Sequence, residues 1–472
     1  SAKMVSTATP TEDGNYYLIN GDKLWCTNGY DELTTLIVVL AKTPDKVLPN
    51  GKSIPQISAF VVETNMPGVE RVHRCKFMGL RGIANGALIF KNVKVPKENM
   101  VGKPGMGLKI ALSTLNVGRL GLPAAGVGTG MAFIDDATWW ANSRVQWGQS
   151  VGKHQSISKK LANYAASLFS MKAMVYLTCA FADKKNADIR LEAAAAKYYC
   201  SETLWKMLDD YMQVRGGRGY ERATSLYERG DRPVGLEMAM RDMRVGRIFE
   251  GSSEVMHLIM AREALDTHFK LVMPIMMPKP GQKEGKIKLL MNAAAFYMTW
   301  LPKVFMPAGT PEAKKLNSTN RAHLAFAAKT CKRLARNLFF TMAKFGPKME
   351  YEQIILGNFV DIGTDMFVMA ATLAYADHLL AKNPADQTPQ ELADLFCKEA
   401  RKRIEANFKA VKNKNKVYSK VAGLLMDGKL SWLANGGMDN TIPPAYRDYA
   451  KNDYEHPCGR YVPPPEKPKK AK

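Results

Sequence analysis

One carboxylate set among arginines is the first feature with chemical reach. In residues 241–254, RDMRVGRIFEGSSE, Glu250 follows Arg241, Arg244 and Arg247 and precedes Gly251, Ser252, Ser253 and Glu254. Taken alone, such a glutamate is an ordinary surface acid paired with its arginine neighbours. A carboxylate kept from water is a different object, because burial raises its pKa toward working pH and makes it a competent base. Trp25 beside Thr27 offers an aromatic face next to a hydroxyl, Arg144 a planar fork of donors, and Gly216-Gly217 a stretch of bare backbone. Each also has a plain reading, as a core aromatic, a solvated cation and a helix C-cap. The seven cysteines are odd in number, well separated and without a CxxC pair, so neither a zinc site nor a disulfide framework is indicated and a reducing compartment fits best.

These groups need a scaffold, and the chain is long enough for one. At 472 residues it suggests about three domains on a prior of roughly 150 residues each. Hydrophobic residues at 46% and charged residues at 24% exclude collagen-like, wholly disordered and disulfide-scaffold classes. No uninterrupted apolar run of about eighteen residues occurs, so a soluble protein is expected. The chain opens at Ser1 in strand-like sequence with neither an initiator Met nor a signal peptide, which reads as a cut. The net charge is +23, of which +14 lies from residue 271 onward. Such a field favours anionic partners or simply a solubilised surface.

Runs of Val, Ile, Leu, Tyr and Phe at 16–20, 34–41, 57–63 and 87–95, separated by Gly, Pro, Asn and Asp turns, predict an antiparallel sheet or barrel. From about residue 106 apolar residues recur at three and four, predicting helices at 107–146, 154–184, 187–212 and 237–269. Prolines and glycines at 271–286 read as a linker. Further amphipathic helices are expected at 287–300, 311–344, 351–382 and 389–418, and residues 461–472 form a basic tail. The fold class is therefore α+β, mostly α. It comprises an antiparallel β-barrel-like domain (1–101), a four-helix bundle (102–270), a linker (271–286), an additional helical domain (287–460) and the tail.

Specific strings carry the reading further. Trp25-Cys26-Thr27-Asn28-Gly29, Gly79-Leu80-Arg81-Gly82, residues 90–99 (FKNVKVPKEN) and residues 241–254, in this order, resemble the acyl-CoA dehydrogenase family over about residues 9–265. The resemblance implies an FAD-dependent enzyme that removes the α-proton and β-hydride of an acyl-CoA thioester in fatty acid β-oxidation. Glu250 falls where most members keep the catalytic base, and Gly251, Ser252, Ser253 and Glu254 where they keep a flavin-contacting turn, although many carry an amide in place of Glu254. Trp25, Cys26 and Thr27 resemble the segment that covers the isoalloxazine ring. Arg144, Val145 and Gln146, with Trp147-Gly148 and then His154 and Gln155, resemble the family's Arg-x-x-Phe-Gly string, whose arginine serves the pyrophosphate of a neighbouring subunit's FAD. Gln213, Val214, Arg215, Gly216 and Gly217 look like its Gln-x-x-Gly-Gly, which faces the adenosine end of that FAD. Asn116, Val117, Gly118 and Arg119 align with the substrate-side helix, whose arginine helps organise the catalytic carboxylate and the acyl-CoA.

The same resemblance implies a homodimer or homotetramer, electrons passed to an electron-transferring flavoprotein, and no metal. Residues beyond 271 are similar to the extension of very-long-chain dehydrogenases and their complex I assembly-factor relative. That similarity implies a long acyl substrate, a bacterial cytoplasm or mitochondrial matrix, and peripheral contact with a membrane. Lysines interleaved with large apolar groups at 286–303 suit an interface as well as a bundle. The family's N-terminal helical domain and its Thr-Glu-Pro and Gly-Ser-Asp loop should precede Ser1, so this chain alone is expected to bind FAD poorly. Two other classes compete: a non-catalytic assembly or interaction protein on the same fold, and a nucleic-acid-associated paralogue, for which charge is the sole support. No basic motif interleaved with aromatics accompanies that charge, so no nucleic acid partner is expected.

Overall fold

The computed structural model describes residues 4–434 apart from 50, 52, 185–187, 277–284 and 414, so the expected basic tail and part of the expected linker lie outside the described residues. Two compact units emerge, one of residues 1–114 with 420–472 and one of residues 115–419.

In the first unit, runs rich in β-branched, aromatic and other apolar residues form β2 (Tyr16–Cys26), β3 (Leu36–Val47), β4 (Ser53–Glu63) and β6 (Gly86–Pro96). Three shorter strands join them: β1 (Thr7–Pro10), β5 (Val69–Arg74) and β7 (Met100–Val101). The sheet order is β5-β6-β2-β1-β3-β4-β7, antiparallel except for β1 beside β3. The expected barrel is therefore corrected to an open sheet, since β5 and β7 each pair on one side only. Ile19, Val39, Phe60, Leu88, Phe90 and Val93 form its core. Bulges at Ile19/Gly21 and Thr43/Lys46 shift the register.

The helix α1 (Gly107–Ser143) runs out of this unit, and a hairpin of β8 (Val145–Gln146) and β9 (Gln149–Ser150) follows it. The second unit then continues through α2 (Gln155–Ala182), α3 (Arg190–Arg215), the short α4 (Gly217–Tyr220) and α5 (Ala223–Glu228), α6 (Leu236–Arg244) and α7 (Ser253–Met276). It ends with α8 (Lys286–Phe305), α9 (Ser318–Phe345), α10 (Gln353–Lys382), α11 (Thr388–Ala410) and the start of α12 (Lys416–Met426). Local chemistry sets several ends: Asn317 caps α9 by accepting from the Asn320 amide at 2.9 Å, and Pro389 sits in the first turn of α11.

The predicted helix over 237–269 is instead two helices with a break between them. The apolar repeat carries straight across, but the backbone at Glu250 and Gly251 does not. Helix α7 also continues to Met276 through Pro274, into the predicted linker. The bundle and the later helices share one apolar core, in which Met171, Leu208 and Met256 belong to the same cluster as Ile362, Leu373 and Ile404. By length and composition alone α1, α2 and α10 could cross a membrane, a property hidden by judging only uninterrupted apolar runs. The stripes of α2 and α10 face each other and α11 within the core.

A buried ion pair locks α1 to α3. Asp136 accepts from Arg215 and from the Tyr211 hydroxyl, and the Arg215 side chain has no exposure. Asp136→Asn leaves that guanidinium in the interior without its counter-charge and should cost about 3 kcal/mol of stability. Equilibrium denaturant unfolding checks this, and an unchanged midpoint would contradict it.

Candidate active site

The break between α6 and α7 is built by its own residues. After α6 a 3-10 turn spans Val245–Arg247, and Glu250 then adopts φ +53° with Gly251 at φ +102°. A glutamate in the left-handed region is uncommon and signals a local constraint. Gly251 meets the tightest part of the turn, where an added Cβ would run into the Met256 thioether methyl. Three groups hold the turn in place. The Lys197 ammonium of α3 donates to the Gly251 carbonyl at 2.6 Å. The Ser253 hydroxyl donates to Glu202, whose carboxylate also accepts from Arg247 Nε at 2.8 Å. Ser252 Oγ accepts from the Val255 amide at 3.4 Å, and Glu254 is exposed in the first turn of α7, its carboxyl held low by its own backbone N–H and by the Ser252 hydroxyl.

This turn aims the Glu250 side chain at α1 and α3. Its Oε2 is shut off from solvent and accepts no hydrogen bond among the described residues. Burial pushes the carboxyl above the ordinary range for glutamate, and the charges of Lys197 and Arg119 partly oppose that. Both cations are themselves buried, Lys197 at 1% and Arg119 at 8% exposure. Burial draws the Lys197 ammonium down to about 8 and also lowers Arg119, while Glu250 pulls each back up. Gly118 is the point where α1 comes closest, since a Cβ there would sit 3.0 Å from Oε2 and 3.2 Å from Oε1. The arrangement can hold an acceptor for a proton in a half-dry site, with two positive charges to stabilise its ionised form.

The arginines expected as ion-pair partners of Glu250 are engaged elsewhere. Arg241 pairs with Glu237 at 2.6 Å, Arg247 with Glu202, and Arg244 lies over the Trp205 ring at 5.5 Å. Asn116 and Val117 belong to α1, one turn before Arg119.

The remaining sequence-predicted residues gather in three places. In the sheet unit Trp25 lies next to last in β2 with φ +60° and 66% exposure, Cys26 ends the strand half-buried, and Thr27 is exposed in the turn that Asn28 pins by accepting from the Ala84 amide at 3.3 Å. In the second unit Arg144, Val145 and Gln146 are exposed on the β8–β9 hairpin, whose Trp147-Gly148 turn has both φ angles positive. His154 braces that hairpin through contacts with the Gln146 carbonyl and the Gln149 side chain, both at 3.1 Å, and an edge contact with Trp147; Gln155 begins α2. At the end of α3 Gln213 is exposed and Gly216 and Gly217 face open space, whereas Val214 and Arg215 turn their side chains inward.

Sequence reasoning missed Lys197 and Glu202. A lysine in the alanine-rich stretch LEAAAAKYYCSE reads as a solvated cation, yet it lies four residues after Ala193 and three before Cys200, both fully buried. That i, i+3, i+4 position on an apolar face was the available signal.

Known proteins resemble this chain along most of its length. Residues 1–93 match "Acyl-CoA dehydrogenase, middle domain", residues 105–265 match "Acyl-CoA dehydrogenase, C-terminal domain", and residues 321–424 match "ACAD9/ACADV, C-terminal domain". The "Probable acyl-CoA dehydrogenase FadE10" of Mycobacterium tuberculosis is 41% identical over 443 residues, which are 93% of this chain and 67% of that one. This chain belongs to the acyl-CoA dehydrogenase family. The very long-chain specific acyl-CoA dehydrogenase of Mus musculus is 30% identical over 419 residues, covering 87% of this chain and 61% of its own. A crystal structure of an acyl-CoA dehydrogenase complexed with FAD from Bacillus anthracis superposes with a TM-score of 0.67 at 25% identity, over 90% of this chain and 69% of that one. The chain thus spans about two thirds of the length of these family members.

The close approach of Gly118 to the carboxylate can be tested without any reaction. Replacing a mid-helix glycine by alanine ordinarily stabilises by about 0.5–1 kcal/mol. Gly121→Ala, in the same helix with nothing within 4 Å, should gain that amount, whereas Gly118→Ala should gain nothing or lose stability. Denaturant unfolding compares the two, and equal gains would mean the carboxylate does not sit against α1.

Proposed function

We propose that this chain belongs to an FAD-dependent dehydrogenase that introduces a trans-2 double bond into a long-chain acyl-CoA and passes the electrons to an electron-transferring flavoprotein. The observation that carries the reading is the Glu250 carboxylate, half-buried at a helix break, one oxygen without a hydrogen-bond partner and two buried cations beside it. An orphaned acceptor in a dry site is what a proton-abstracting base requires before substrate arrives.

The residues present fit a flavin dinucleotide. Trp25 is a mostly exposed aromatic face with the exposed hydroxyl of Thr27 two residues on, Arg144 is an exposed fork of donors suited to a pyrophosphate, and the bare backbone at Gly216-Gly217 faces open space. When bound, FAD supplies an acceptor for the hydride from the β-carbon. This chain's own work is on the α-carbon: Glu250 takes the proton there, and removal of water from its surroundings keeps it basic enough to do so. Arg119 and Lys197 favour the ionised carboxylate before the proton moves.

A long acyl substrate is supported by the match of residues 321–424 to the ACAD9/ACADV C-terminal domain and by the mouse relative, which is named for very long chains. The location proposed with it is a bacterial cytoplasm or the mitochondrial matrix. Peripheral membrane contact is supported by α8, where Ile287, Met291 and Met298 are exposed close to Lys286, Lys288 and Lys303. A homo-oligomer would let Arg144 and the Gly216-Gly217 backbone serve a dinucleotide held by a second copy.

In the flavin-loaded full-length protein, a long-chain acyl-CoA should bleach the flavin absorbance, and Glu250→Gln should slow that bleaching by about 10² to 10⁴. The wild-type rate should fall as pH drops through the raised pKa of Glu250, because the protonated carboxyl cannot accept. Bleaching of equal rate in Glu250→Gln would overturn the reading.

A further inference from the structure

The mechanism above uses a glutamate held in a left-handed turn, and Lys197 reaches this turn from α3 to bond the peptide next to the glutamate. It stands mid-way along α3, 1% exposed, with alanines and aromatic rings on either side in sequence. Among the described residues no carboxylate lies within ion-pair distance of its ammonium, which is unusual because buried lysines are almost always paired. Its one hydrogen bond goes to the Gly251 carbonyl, the peptide directly after Glu250. A buried ammonium is costly, and a side chain serving only to tether a carbonyl needs no charge.

We propose that Lys197 is a positioning residue for Glu250, fixing the Glu250–Gly251 turn through the Gly251 carbonyl and, as a buried cation, holding the carboxylate ionised at working pH. The inference rests on the reading of Glu250 as the base. Two functions are separable in one side chain. The hydrogen bond orients the turn and hence the carboxyl, whereas the charge acts through space on the protonation state. The charged groups that bear on this pair are Arg119 from α1, Glu202 from α3 itself and Glu254 from the start of α7. Glu202 is already committed to Arg247 and Ser253, and Glu254 is exposed, so Arg119 and Lys197 dominate the field at Glu250.

The sign follows directly. A cation beside a carboxyl favours its charged form, so losing the lysine charge raises the pKa of Glu250. Three variants separate the roles: Lys197→Met removes charge and hydrogen bond, Lys197→Gln keeps a donor without charge, and Lys197→Arg keeps the charge. Thermal unfolding of each confirms that it folds, and if Lys197→Met does not, the Gln and Arg variants carry the test.

The first readout needs no flavin. The carboxyl stretch of Glu250, isolated as the infrared difference between the 472-residue chain and its Glu250→Gln variant, is titrated in each lysine background. The proposal expects the midpoint to rise in Lys197→Met and Lys197→Gln and to stay in place in Lys197→Arg. A midpoint unmoved in folded Lys197→Gln, or moved equally in Lys197→Arg, overturns it. The second readout is the pH profile of flavin reduction by acyl-CoA in the loaded full-length protein, whose acid limb should move to higher pH in the same two variants. A titration that responds as expected in a protein that acyl-CoA fails to bleach sinks the dehydrogenase reading and leaves the Lys197–Glu250 coupling standing. Bleaching with an unresponsive titration does the reverse.

Discussion

Everything in the second unit answers to the cost of keeping a carboxylate away from water. Glu250 loses hydration on one oxygen entirely, and an uncompensated buried charge would neutralise itself by binding a proton. Two buried cations on different helices oppose that tendency. The result is a carboxyl poised between states, which is the property a base for a weak carbon acid needs. The position exists because α6 and α7 are not one helix. Glycine at 251, serine at 253 and the Arg247–Glu202 pair make the interruption stable, and glycine at 118 lets α1 approach.

The later helices bear on this site through shared packing. Helix α10 lies against α7 and α2, and Asp361 accepts from Tyr198, the neighbour of Lys197, at 2.8 Å while also meeting His257 of α7 at 3.0 Å. The C-terminal segment is therefore hydrogen-bonded to the helix that carries the lysine and to the helix that follows the base. One core serves both, so a substitution deep in α10 or α11 is transmitted as a packing change to α3 and α7 rather than absorbed locally.

Much of this was legible beforehand, and the exceptions share a cause. The four long strands declared themselves as apolar runs between turn residues, but β1 and β7 are too short to stand out, and such runs do not tell an open sheet from a barrel. The helices of the bundle followed from three-and-four spacing. The break at Glu250 did not, because Met240, Ile248 and Met256 continue the apolar rhythm while the backbone departs from it. Glu250 itself was found through the string around it. Lys197 was not, since burial of a lysine is a fact of tertiary packing that residue type argues against. Arg241, Arg244 and Arg247 misled in the opposite direction, for proximity in sequence suggested partners that the fold assigns to Glu237, Trp205 and Glu202.

The central claim is that Glu250 removes a hydrogen from the carbon next to a thioester. It is tested most directly with a 3-thia-acyl-CoA, which offers the α-proton but has no β-hydrogen to give up. In the flavin-loaded full-length protein in deuterated water, the α-hydrogen should exchange with solvent, followed by loss of its NMR signal, and Glu250→Gln should abolish that exchange. Exchange at the same rate in both proteins would place the base elsewhere and contradict the account.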